Sequence, residues 1–186
     1  MFPEEFEELS EAAANTAKAL MVRFKSGEIT ASEWRSRMEA TIKRLYESVF
    51  SISGLSLLDE EADYLREKIQ FQLERLDAFE EDLEEKEFDE RWFSRAGLYI
   101  LSAYAVYVYA DIYRSHKFSI PLPAYPGEGT VCLTNCKCVW DIDPINPTNG
   151  DYDAYWKLGA VEHCSTCVTR NALWSPVRIR GWELQV

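Results

Sequence analysis

Cysteine is missing before position 132 of this chain, and histidine occurs only twice in 186 residues. Two histidines, both far in sequence from any candidate serine nucleophile, give a hydrolytic triad no footing. They are also too few for a nuclease centre built on several imidazoles. No Gly-x-Ser-x-Gly and no glycine-rich phosphate loop occurs. No His-x-Glu precedes a C-x-x-C, which removes the zinc-deaminase arrangement. The expectation is a protein that is not an enzyme and has no small-molecule substrate. Positive charge is scarce as well: 20 Lys and Arg stand against 32 Asp and Glu, for a formal charge of -12. Residues 1–118 hold 25 acidic and 15 basic side chains, and residues 119–186 hold 7 and 5. Neither part has the basic surplus that a phosphate backbone rewards, so nucleic acid is not an expected partner.

Long apolar runs are missing too. The longest, residues 98–110, is 13 residues with four Tyr. A bilayer-spanning helix needs about 20 apolar residues, so this stretch is expected to be a buried helix and no membrane association is expected. The start, Met1-Phe2-Pro3-Glu4-Glu5, has neither the basic nor the apolar region of a secretory signal. A soluble protein made in a cytoplasm is the expectation.

What the chain does have is apolar mass, 47 % of residues, including six Trp, ten Tyr and nine Phe, enough to build a real core. Up to Phe118 that mass is spaced for helices. Phe6, Leu9, Ala13, Ala17, Leu20 and Phe24 share one face of a predicted helix over 3–26. Gly27 stops it, and Thr30-Ala31-Ser32-Glu33 is a capping box for a second, with Trp34, Met38, Ile42, Leu45 and Val49 on its face. Asp59 is placed to cap a third, whose stripe is Ala62, Leu65, Ile69, Leu73, Leu76, Phe79 and Leu83. Asp89 is placed to cap a fourth, apolar nearly all round through Ala110 and closed by His116-Lys117.

At Ser119 the texture changes. Pro121, Pro123, Pro126, Gly127 and Gly129 read as an extended, turn-rich linker. Short β-like runs follow at 138–142 and 154–158, with a turn-forming stretch over 143–151 between them. The fold class expected is therefore mainly α: an antiparallel helical region of about four helices over 1–118, then a linker and a small β-hairpin zinc-binding module over 119–186.

The zinc expectation comes from the cysteines. All five fall in that last part: Cys132-x3-Cys136-x-Cys138, then Cys164-x2-Cys167, with His163 beside the second group. An odd number, clustered late in a chain without a secretory signal, argues against a disulfide framework. Structural zinc takes four N or S ligands in a tetrahedron, and two short cysteine groups separated by a hairpin are a standard way to supply two each. Cys132, Cys136, Cys138, Cys164 and Cys167 are the candidate ligands, more than one ion needs, so at least one, Cys132 or Cys136, is expected to be a spare or a supporting donor; His163 is either a further ligand or, as such a neighbour more often is, a hydrogen-bond partner of a sulfur or the backbone. With so many thiols a closed structural site is expected over a catalytic one. Buried free thiols and a redox C-x-x-C are the competing readings. The redox motif usually opens a helix near a βαβ unit, and no such unit is visible.

Other features have plainer explanations. The eight carboxylates between Glu80 and Glu90 do not follow the spacing of a calcium loop and read as a solvated helix junction. Tyr99, Tyr104, Tyr107, Tyr109 and Tyr113 read as packing within the helices. Residues 174–182 alternate and carry Arg178 and Arg180, a segment too short to assign.

Several of these stretches together resemble the C-terminal end of tailed-phage minor head proteins, the head-morphogenesis proteins related to the Mu F-like group. The similarity lies in residues 122–130, in Cys132 to Trp140, in Trp156-x-Leu158-Gly159, and in Glu162-His163-Cys164-x2-Cys167. Gly27-Glu28-Ile29-Thr30-x-x-Glu33-Trp34 is similar to a helix junction of the same family, and Leu76-Asp77-x-Phe79 and Arg95-Ala96-x-Leu98-Tyr99 sit where its helices carry similar residues. The resemblance implies a structural virion protein of the phage head, assembled in the host cytoplasm near the portal. Portal or capsid proteins, and further copies of the chain, would be its partners. Better known members place a C-x-x-C first and a His-x-x-Cys-x-Cys second; here the C-x-C comes first, with Cys132 near where that His would fall. The alternative is a zinc-ribbon-type nucleic-acid or regulatory binding module. It would need a basic face drawn from Lys137, Lys157, Arg170, Arg178 and Arg180.

Overall fold

The computed structural model describes residues 4–52, 54–55, 62–116, 119–132, 136–160 and 162–185. The chain is mainly helical. Among the described residues five helices, α1 (Glu4–Lys25), α2 (Ala31–Ser51), α3 (Ala62–Glu85), α4 (Arg91–Leu101) and α5 (Tyr104–His116), precede a small antiparallel sheet. Its strands are β1 (Val139–Asn146), β2 (Asp151–Lys157), β3 (Val177–Arg180) and β4 (Glu183–Gln185), with a short helix α6 (Ser165–Leu173) between β2 and β3. Two compact units divide between Tyr107 and Val108, inside α5 and ahead of the compositional change at Ser119.

In the first unit α1 packs on α2 and α4, and α2 on α3. Helix α1 ends at Lys25, and Gly27 beyond it takes φ +73°, a conformation a side chain would strain. The capping box forms as its spacing predicts: the Glu33 backbone N–H donates to Thr30 Oγ1 at 3.2 Å and the Thr30 N–H to Glu33 Oε2 at 2.9 Å. Trp34, Met38, Ile42, Leu45 and Val49 are all buried along α2. On α3 the buried line is Ala62, Leu65, Gln72, Leu76, Phe79 and Leu83, with Ile69 and Leu73 half-buried. Seven residues nearly complete two turns, so position 72 follows 65 into the interior and a polar side chain fills part of the stripe. The Asp59 cap lies outside the described residues.

Phe79 is the hub of this unit. Its ring meets Trp34 edge-on at 5.1 Å, Trp92 edge-on at 6.0 Å and Tyr99 in a stack at 6.3 Å, and the Arg95 guanidinium lies 4.0 Å above it. The acidic stretch is only in part the junction between α3 and α4: Glu80, Glu81, Asp82, Glu84 and Glu85 lie on the last turns of α3, where Asp82 pairs with Lys86 and Arg95, and Glu90 at the junction pairs with Lys25. Asp89 accepts the Arg91 N–H at 2.8 Å, satisfying one donor at the start of α4.

The single fourth helix expected from Asp89 to His116 is two helices, α4 and α5. The break sits at Ser102. Its hydroxyl donates to the Tyr99 carbonyl at 2.8 Å and lies 2.7 Å from the Tyr46 hydroxyl. A serine that takes a carbonyl of its own preceding turn competes with the helical ladder. The backbone tightens there, with Ala103 N–H on Ile100 O at 3.2 Å. Burial from Ala103 to Ala110 is complete, as the apolar composition requires, and Tyr99, Tyr104, Tyr107 and Tyr109 are all interior.

In the second unit the strands lie in the order β1-β2-β3-β4, a meander with every neighbour antiparallel. A four-stranded sheet therefore replaces the predicted hairpin. The β1–β2 turn is also tighter than expected: the strands run on through 143–146 and 151–153, leaving only a 3-10 turn at Pro147–Asn149 and Gly150. At Gly150, φ is +75° and a Cβ would lie 2.5 Å from the Trp182 ring, so only glycine fits. Trp140, Tyr152, Ala154, Trp156, Val177 and Ile179 are the buried strand residues. The proline-rich segment is no free linker. Trp140 Nε1 donates to the Ala124 carbonyl at 2.9 Å, Tyr125 is buried against Tyr109, and Glu128 accepts the Tyr125 N–H at 2.7 Å.

Candidate metal centre

The five cysteines arrive from three places. Cys132 ends the described part of the proline-rich segment, just after Thr130, a buried hydroxyl to which its thiol donates at 3.4 Å. Cys136 and Cys138 lie on the approach to β1, both buried. Cys164 is the N-cap of α6, and Cys167 stands one turn into that helix. The connection from β2 to α6 comes back beside Lys137, between the two cysteines of the C-x-C. A Cβ on Gly159 would lie 2.3 Å from the Lys137 carbonyl oxygen, so this approach needs glycine.

Cys132, Cys136 and Cys167 form a compact trio whose sulfurs all lie within 4.8 Å of one another. The Cys167 Sγ is 3.5 Å from that of Cys132 and 3.7 Å from that of Cys136. Four sulfurs bound tetrahedrally at about 2.3 Å from zinc stand about 3.8 Å apart, and the observed spacings approach that edge. They are far beyond a disulfide bond, and all five cysteines are free. Cys138 and Cys164 lie outside this compact trio, though each interacts electrostatically with members of it. The group can hold a metal ion, and among the described residues no carboxylate or histidine cluster does so.

The electrostatics are those of crowded thiols. Burial pushes the Cys132 thiol up, with Cys164 adding to the rise. The neighbouring Cys138 thiol, then burial, pushes Cys136 up strongly, and burial with the Cys132 thiol does the same to Cys167. Crowded, desolvated sulfurs resist ionising together. A divalent ion reverses that balance, because it binds thiolates and releases their protons. Cys164 goes the other way. Burial opposes its ionisation, but the backbone amides of Cys167 and Cys132 and the thiols of the same residues outweigh it, and its pKa falls to about 6. A helix N-terminus favours a thiolate for the same reason.

The C-x-x-C does open a helix, which sequence spacing did not suggest, yet the strands around it are antiparallel and no βαβ unit is present among the described residues. His163 hydrogen-bonds the Gly159 carbonyl through Nε2 at 2.7 Å, tying it to the β2–α6 connection. Three residues that support the site were given no part in it by the sequence: Thr130 and Gly159, noted only within stretches that carry the family resemblance, and Arg170, noted only as a cation of the alternative reading. Arg170 stacks over Trp174 at 4.7 Å and Trp156 at 5.3 Å, holding α6 to the strands. A lone glycine after a strand is the one sequence signal that pointed to any of them.

Among the described residues, no helix is long and apolar enough to cross a membrane. No protein-family model matches the chain, and no curated protein and no solved structure matches it.

Proposed function

We propose that the second unit is a module held by a structural zinc ion on its cysteine thiolates, and that the chain is a structural protein of a tailed-phage head, of the minor-head type. The zinc reading rests on one observation. Thiols from segments 35 residues apart converge to 3.5 Å without forming a disulfide. Zinc is the metal that suits an all-thiolate, closed, redox-silent site. Iron–sulfur clusters also take four cysteines, and elemental analysis separates the two. The virion reading is supported by the resemblance carried by residues 122–140, 156–159 and 162–167 and by the Gly27–Trp34 junction. Portal or capsid subunits, or further copies of the chain, are the partners it calls for.

The nucleic-acid alternative draws little support. Of the five cations available to it, Lys157 lies 3.6 Å from Asp141, Arg180 is bound to Asp153 at 2.6 Å, and Arg170 is stacked on tryptophans. Two experiments test the proposal. Elemental analysis of protein purified without added zinc should give one zinc per chain; protein without metal refutes the zinc reading. Mass spectrometry of purified particles from the phage or prophage that encodes the chain should detect it in the head fraction. Absence from particles refutes the virion reading.

A further inference from the structure

The three sulfurs of the compact trio are not equivalent. Cys167 Sγ lies 3.5 Å from Cys132 Sγ and 3.7 Å from Cys136 Sγ, so it is the shared neighbour and can bond to only one of them. Access differs as well. Cys136 and Cys167 are enclosed, at 2 % and 0 % exposure. Cys132 is half-buried and follows Val131, which is 73 % exposed. A reagent arriving from solvent meets Cys132 before the other two, and the nearest sulfur behind it is Cys167. This is not the pairing that chain proximity favours. Cys164 and Cys167 form the C-x-x-C, the usual redox spacing, yet Cys164 is outside the trio.

We infer that Cys132 and Cys167 are the site of oxidative cross-linking in this module, with a peroxide as the oxidant. Two thiols and one hydrogen peroxide give one disulfide and two waters. The Cys132 sulfur attacks a peroxide oxygen, the O–O bond breaks, and hydroxide leaves, becoming water with the thiol proton or, for a thiolate, one from solvent. The Cys167 sulfur then attacks the Cys132 sulfenic acid. The S–S bond forms, the S–O bond breaks, and the departing hydroxide takes a second proton. Sulfur is oxidised and peroxide oxygen reduced. The inference rests on the zinc reading in one respect: an ion seated on these sulfurs loses two ligands and is released. The bridge then joins positions 35 residues apart, the proline-rich segment and α6, which the ion had held together.

Disulfide mapping of the full-length protein as purified tests this. The protein is treated with one equivalent of hydrogen peroxide, blocked with iodoacetamide and digested without reduction. A Cys132–Cys167 peptide should be the main cross-linked product, and a chromogenic zinc chelator should register one ion released per cross-link. The same oxidation in urea should shift the map toward Cys164–Cys167, because the shorter loop closes at the lower entropic cost. A native map dominated by Cys164–Cys167 or Cys136–Cys167 overturns the inference and leaves the zinc reading standing. So does oxidation of Cys132 to sulfinic acid without a cross-link, or a map unchanged by urea, since the pairing would then owe nothing to the fold. Protein that carries no metal as purified refutes the zinc reading, and the map still decides the cross-link.

Discussion

Gly159 and Lys137 pass so closely that a Cβ on the glycine would stand 2.3 Å from the lysine carbonyl oxygen and 2.9 Å from its carbonyl carbon. Backbone, not a pliable side chain, is what the new atom would meet. Because Lys137 is flanked by Cys136 and Cys138, and Gly159 leads toward Cys164, this contact sets how near the two cysteine groups come. Gly159→Ala should therefore weaken metal binding as well as the fold. We expect a loss of about 1–3 kcal/mol in the stability of the second unit, the usual scale of overpacking. A lower zinc affinity in a chelator competition should accompany it. Unchanged affinity would detach the glycine from the site.

On the proposed zinc reading, removing the metal should act on one unit only. Hydrogen exchange followed by mass spectrometry, with and without a strong chelator, should show lost protection over β1, β2 and α6 and unchanged protection over α1–α4. Uniform loss along the chain would contradict a local staple.

Phe79 carries three aromatic neighbours and a guanidinium. Phe79→Ala should cost about 3–5 kcal/mol, the range for a fully buried ring, read from urea unfolding of the helical signal. Arg95→Ala should cost less, because the ring keeps its other partners.

The capping box at the start of α2 gives a pH signature. The Thr30 backbone N–H holds the Glu33 carboxyl below its ordinary value of 4.5. A depressed folded pKa means the stabilisation is complete above the ordinary value and disappears as pH falls through the lower, folded one. Glu33→Gln should flatten that part of the acid-side stability curve while leaving stability at pH 7 slightly reduced. Thr30→Ala should cost about 1 kcal/mol at neutral pH, measured by thermal unfolding.

Much of the helical part was legible because burial follows local spacing. Trp34, Met38 and Ile42 are interior for the reason their three- and four-residue intervals suggest, and the Thr30–Glu33 pair is a self-contained signal. The break at Ser102 was not legible, since a serine in an apolar run looks harmless until the Tyr46 hydroxyl, 56 residues away, is brought against it. The cysteine positions announced a cluster, while its internal order depends on the Gly159–Lys137 approach and on α6, a helix of 9 residues too short to stand out by periodicity. The strands β3 and β4 were hidden for a similar reason: at four and three residues each, only pairing defines them.

The strand order has a further consequence. It leaves β1 at an outer edge of the sheet among the described residues, the position at which a further strand could add on. That edge is defended against aggregation. Pro144 removes one donor, the register slips between Pro144 and Asn146, and Asp141 and Asp143 place negative charge along the strand. Two copies of this module meeting edge to edge would find mismatched hydrogen bonds and like charges. Addition of a further strand along that edge is disfavoured.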